Sequence, residues 1–471
     1  MTTRKKDRDQ PDKTVDTVLT GGTVVTTADT FDGGVAIENG EIVAVGDESK
    51  LPTARRTIDA TGKLLLPGVV DPHVHTRDPF TIDTYETATK AAALGGTTTF
   101  INFAWEGFDG ENSYHPADTS LIEGIEYCKS GAEDALIDYG VHGTLAAGDP
   151  ETLELLEEAV ESGVTSFKMF TAYEVGLTNG YIERVLERLA ELDAVGLFHT
   201  EDNSVCEART ERLKAEQKGD AEWYPMSRPD FAEAMAADDA VRMAVEHDVK
   251  YYGVHTSCRK AAAVLEAFQD DGSHVRAETC THYTVFDDSL YEELGNLPMI
   301  APPIRTPDDV EAVFEYIKNG TLSVVSTDHC AYTEGSKRVE NWWDSSFGAN
   351  GLQASLEVFY DEAVNERGLS ASKVVELMCA NPAKTFGLTR KGTLRPGTDA
   401  DIVVFDPNET HRIDAANNAS KADFSIYDGR ELTGRVEKTF VRGTLVADNG
   451  QIVASPGHGQ FIERAVPSWD H

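Results

Sequence analysis

The chain has 471 residues, 40% of them hydrophobic, with 81 acidic against 42 basic side chains and a formal net charge of −39. That length suits a large domain with a smaller companion, and the charge excludes nucleic-acid binding, because phosphates would be repelled. No apolar run reaches membrane-spanning length, the polar start (Met1 to Lys13) is unlike a secretory leader, and six scattered cysteines without a CxxC pair fit a reducing cytoplasm.

In chain order, residues 1–13 lack apolar periodicity and read as a disordered tail. From Thr17 to Ala60 come short alternating segments, with Glu38-Asn39-Gly40 as a turn between two of them, so β-hairpins are expected. The same texture returns in Ala400–Phe405, Glu437–Gly443 and Thr444–Ala447. One small β-domain assembled from both ends is the economical inference. The acids of the middle fall on expected helix surfaces, as in Glu151–Glu158 and Glu183–Glu191. They read as a solvated face, adapted to concentrated salt that screens self-repulsion.

That middle alternates strand-like and helix-like runs. The strand-like runs are Leu64–His75, Thr97–Ala104, Ile137–Leu145, Val164–Phe170, Val195–Glu201, Val249–Thr256, Val275–Tyr283 and Leu322–Asp328. Eight β runs with helical crossovers predict a parallel (β/α)8 barrel of the TIM type. No GxGxxG or GxxxxGK[ST] follows any run, so a nucleotide-binding open sheet loses support.

Polar residues gather where a barrel places its chemistry, at the C-terminal ends of strands. His73 and His75 end the first run, and a period of two points both the same way. Lys168, His199, His255 and Asp328 end later runs. Each histidine alone has a structural reading as a satisfied core group, but imidazoles and carboxylates converging from several strands suit zinc or a similar divalent ion. Lys168 sits inside an apolar run, where desolvation would expose a nucleophilic amine; the alternative is a lysine snorkelling to solvent.

Asp71-Pro-His-Val-His75, Phe167-Lys-Met-Phe170, His199, His255 and Asp328-His-Cys330 resemble the dihydropyrimidinase/hydantoinase branch of the cyclic amidohydrolases. The likeness extends to Ile58–Gly68, Asn381-Pro-Ala-Lys384, Gly397–Asp401, Gly434–Gly443 and Pro456–Phe461. It implies a metal-dependent hydrolase that opens a cyclic imide or ureide by attack of a metal-bridging hydroxide. His73, His75 and Asp328 would hold one metal and His199 and His255 the other, with Lys168 bridging both as a CO2-derived carbamate. Asp328 would carry the proton and Tyr173 would donate to the oxyanion, although Tyr173 also reads as a loop cap. Thr281 and Asn350 would touch the substrate.

Three departures bear on substrate. Thr76-Arg77-Asp78-Pro79 is closer to dihydroorotases and allantoinases, and Arg77 would either fork onto a substrate or pair with an acid. Ile101-Asn-Phe-Ala-Trp-Glu106 departs from the dihydroorotase pattern. Where hydantoinases carry Pro-Gly-x-Glu-x-Arg, this chain has Phe347–Ser355, with Gln353 and Ser355 at the Glu and Arg places. Trp342 and Trp343 read either as a wall of the pocket or as core, with core preferred. Allantoinase is the alternative activity, supported by Arg77 and His282; a noncatalytic scaffold is a third reading. The expected organisation is a β-sandwich from 14–65 and 391–450, the hydrolase barrel over 66–390, and a C-terminal tail (451–471) joining a homodimer or homotetramer.

Overall fold

The computed structural model describes residues 14–110 and 113–469. The tail expected at 1–13 lies outside them. Among the described residues no helix is long and apolar enough to cross a membrane.

The chain ends build one nine-stranded, mostly antiparallel sheet. The N-terminal part supplies β1 (Val15–Val25), β2 (Thr30–Glu38), β3 (Glu41–Gly46), β4 (Ala54–Asp59) and β5 (Leu64–Pro67). The barrel follows with β6 (Val69–Val74), β7 (Thr97–Trp105), β8 (Asp138–Thr144), β9 (Ser166–Phe170), β10 (Val195–His199), β11 (Lys250–Gly253), β12 (Val275–Cys280) and β13 (Val324–Ser326). β14 (Ile402–Arg412), β15 (Glu431–Val441), β16 (Thr444–Asp448) and β17 (Gln451–Ile452) return to the first sheet, where β14 pairs antiparallel with β5. Leu19, Val35, Ile42, Leu65, Ile402 and Phe440, drawn from both ends, bury a common core.

The first run, expected as one strand over Leu64–His75, divides at Gly68 into β5 and β6, one in each sheet. A Cβ at Gly68 would lie 2.0 Å from the Thr98 hydroxyl oxygen, so only glycine allows the chain to cross there. The seventh run, expected to reach Tyr283, stops at Cys280 and becomes the short helix Thr281–Val285.

Strands β6 to β13 run parallel in sequence order. The barrel closes where the amide of His75 donates to the carbonyl of His329 at 2.8 Å. The crossovers are amphipathic helices. In Asn179–Glu191 the buried face is Tyr181, Ile182, Val185, Leu186 and Leu189, at helical spacing, and Thr178 caps the start by accepting from the amide of Tyr181. In register, Trp105 pairs with Thr144, Thr144 with Lys168, Lys168 with Leu197 and Leu197 with Tyr252. All five are buried, which places Lys168 in a row of the barrel interior.

The residues after β17 fold back onto the N-terminal end of the same barrel. The carbonyl of Gln460 accepts from the amide of Tyr139 at 3.0 Å. Arg464 is buried there, donating to Ser166 Oγ at 2.8 Å and to the carbonyl of Val141 at 2.5 Å.

Candidate functional site

His73 and His75 leave β6 on the same side, and each has its Nδ1 taken by a carboxylate. Glu278 Oε1 lies 2.5 Å from His73 Nδ1, and Asp78 Oδ2 lies 2.5 Å from His75 Nδ1. The two Nε2 atoms therefore turn to a common point, where Asp328 Oδ1 stands 3.2 Å from one and 3.6 Å from the other. Asp328 follows β13 in a left-handed conformation (φ 47°).

On the other side, His199 ends β10 and His255 follows β11. His199 Nδ1 and His255 Nε2 are 2.9 Å apart, and His199 Nε2 is 2.8 Å from Glu201 Oε2. The groups adjoin, since the rings of His73 and His255 are 5.4 Å apart. Lys168 reaches between them. Its Nζ is 5.4 Å from the Phe103 ring, which stacks on His75, and 4.9 Å from the Phe170 ring, which stacks on His199.

Electrostatics suits this arrangement to cations. Burial holds His73, His199 and His255 below the ordinary imidazole range, leaving neutral donors. Burial also pulls Lys168 down to about 8 and pushes Asp328 up to about 6. Glu201 is held at about 2: burial alone would raise it, but the adjacent Arg228 charge and the His199 bond outweigh that. Neutral imidazoles, a carboxylate and a desolvated amine in one dry cluster fit a divalent metal centre, with second carboxylates orienting the rings.

Tyr173, on the loop after β9, lies with its ring 5.1 Å from that of His199. Its hydroxyl donates to Glu201 Oε2 at 3.3 Å, and the Arg228 guanidinium stands 4.5 Å from its ring. Thr281 is buried with its hydroxyl 2.6 Å from Ser355 Oγ. Asn350 is buried, its Oδ1 unpartnered, beside a groove of about 390 Å³ also lined by Gln353, Glu357, His411 and Arg435. That groove lies between the barrel and the accessory sheet. Trp342 packs as core, as expected.

Arg77 packs against an aromatic ring. Its guanidinium lies 4.0 Å from the Tyr127 ring and against Gly131, at the end of helix Leu121–Ser130. A left-handed backbone at Arg77 (φ 52°) turns its side chain outward, while Asp78 turns to His75.

The sequence reading missed Glu278, Asp78, Glu201 and Arg228. Two had a local signal: Asp78 stands three residues after His75, and Glu201 two after His199. A second carboxylate cluster, Asp138, Asp399 and Asp401, also has metal-ligand spacing. Lys391 already supplies the cation there, at 2.5, 2.9 and 2.8 Å from the three.

Comparison with known proteins agrees with this geometry. The model of the amidohydrolase family matches residues 64–446. A D-hydantoinase of Streptomyces coelicolor is 35% identical over 95% of this chain and 98% of its own. An allantoinase of Salmonella choleraesuis is 32% identical over 95% and 98%. The crystal structure of a dihydropyrimidinase from Brevibacillus agri superposes with a TM-score of 0.91 at 30% identity, covering 96% of this chain and 100% of that one.

Proposed function

The chain belongs to the amidohydrolase family, on its hydantoinase branch, and from that membership we propose that it opens the amide bond of a cyclic imide or ureide of dihydropyrimidine or hydantoin type. The observation that carries the reading is the convergence of His73 and His75 Nε2 on Asp328, beside His199, His255 and Lys168.

His73, His75 and Asp328 would hold one divalent cation and His199 and His255 a second, with Lys168 between them as its carbamate. We read the ions as zinc. When bound, such ions lower the pKa of water and polarise a carbonyl. Asp328 takes the proton of the attacking water and passes it to the leaving ring nitrogen. Tyr173 is held beside His199 and donates to the oxygen that gains charge. Aromatic rings of Phe103, Phe170 and Trp105 keep this region dry.

Allantoin is the alternative substrate, with allantoinase relatives in its favour. Arg77, one of the two residues that supported it, packs on the Tyr127 ring. We assign the chemistry to the barrel, expected over 66–390, and support to the sheet that takes in β5 to Pro67 and β14 to β17, with the residues after β17 contributing to a homo-oligomer; sedimentation tests the last point. Metal analysis after reconstitution with and without bicarbonate tests the centre: two equivalents that require bicarbonate support it, and less than one equivalent favours a scaffold.

A further inference from the structure

We propose that Asp83 and His329 form a buried positioning pair that locks Asp328, and that the accessory sheet joins this lock through Ser420 and Lys421. The proposal rests on Asp328 as the proton carrier assigned above.

His329 follows Asp328 and is wholly buried. Its Nε2 meets Asp83 Oδ2 at 2.8 Å, and its Nδ1 accepts from the amide of Gly351 at 3.1 Å. Because Nδ1 accepts an N–H, the ring proton sits on Nε2 and is donated to the carboxylate. A flip or rotation would leave buried groups unpaired, which fixes the ring. Its backbone is fixed as well: the carbonyl accepts from the amide of His75 at 2.8 Å. On the other side of Asp328, Thr327 Oγ1 donates to Asp71 Oδ2 at 2.6 Å. Asp328 itself is left-handed at φ 47°, a conformation that a non-glycine residue keeps only when its surroundings impose it. Locking both neighbours imposes it.

Asp83 uses both oxygens. Oδ2 accepts from His329 and from Ser420 Oγ at 2.6 Å. Oδ1 accepts from the amide of Lys421 at 2.7 Å and from Thr87 Oγ1 at 2.7 Å. Ser420 and Lys421 lie between β14 and β15, so a segment of the accessory sheet reaches the residue beside the proton carrier. Neither Asp83 nor His329 needs to touch substrate. They act through the place they give Asp328.

Asp83→Asn keeps the volume but places an amide donor where one carboxylate oxygen accepts two of the four hydrogen bonds. With the site saturated in metal, the expected result is a fall in kcat of about 100-fold, as for a catalytic group displaced by about 1 Å, with KM within about twofold. A crystal structure of the variant should show the Asp328 carboxylate shifted relative to His73 and His75. Ser420→Ala, which removes one donor only, should lower kcat in the same direction by about threefold, the loss of one modest hydrogen bond. Unchanged kcat in folded variants, or a loss that only tracks lost metal, overturns the pair. A wild type that opens no cyclic ureide overturns the functional reading instead. The position of Asp328 in the Asp83→Asn crystal then decides the lock by itself: unmoved, the proposal fails.

Discussion

Glu278 Oε1 lies 2.5 Å from Nδ1 of His73, with Glu278 0% and His73 1% exposed. The contact leaves Nε2 as the free donor of that imidazole, aimed at Asp328. Tyr252 holds the other Glu278 oxygen, donating at 2.9 Å. Glu278→Gln preserves shape but offers an amide where a carboxyl oxygen meets the ring nitrogen. Metal affinity is predicted to fall about 10- to 100-fold, measured by chelator competition. Affinity equal to wild type would show that His73 is oriented without Glu278.

His142 supplies a pH dependence whose sign is fixed. It is buried, with Nδ1 2.6 Å from Ser166 Oγ and Nε2 2.9 Å from the carbonyl of Pro72. Burial holds it well below the ordinary imidazole value, so it is neutral in the fold. The unfolded chain takes up a proton below about pH 6.5. This contribution to stability is therefore full above that pH and is lost as pH falls, by up to about 1.4 kcal/mol per unit. Comparison with His142→Gln cancels the other titrating groups. The gap in unfolding free energy is predicted to hold steady above about pH 7 and to narrow below about 6.5. A gap that widens on acidification contradicts this.

Arg464 anchors the C-terminal tail under the barrel, through Ser166 Oγ and the carbonyl of Val141. Arg464→Ala removes both contacts, leaving Ser166 Oγ its bond with His142, and is predicted to cost about 2 kcal/mol in denaturant unfolding. A change under about 0.5 kcal/mol, as at an ordinary surface site, would mean the tail docks without it.

The net charge of −39 predicts a salt response. Screening removes self-repulsion among the surface acids, so the melting temperature should rise from low to multimolar KCl. Greater stability at low salt would remove the salt-adaptation reading.

Much of this centre was legible because strands have a period of two. His73 and His75 declare a shared face, and strand-end positions gathered Lys168, His199, His255 and Asp328 before any coordinates. What stayed hidden was the partnering. Glu278 stands 205 residues from His73, and Asp83 246 from His329. No local pattern links such pairs; only closure of the barrel brings them together. The division at Gly68 was hidden for a related reason, since Leu64–Val70 is apolar throughout and the break comes from Thr98 on a neighbouring strand. The packing of Arg77 on Tyr127 was hidden as well, because no local pattern shows its left-handed backbone.

The most direct measurement is turnover of dihydrouracil, hydantoin and allantoin in high salt, after loading with divalent metal and bicarbonate, with Asp328→Asn in parallel. Ring opening by the wild type that falls at least about 100-fold in the variant is predicted, as expected for loss of the group that moves the proton. Equal turnover by both, or none by a wild type that holds two metals, would contradict the assignment of Asp328 and of cyclic ureides as substrates.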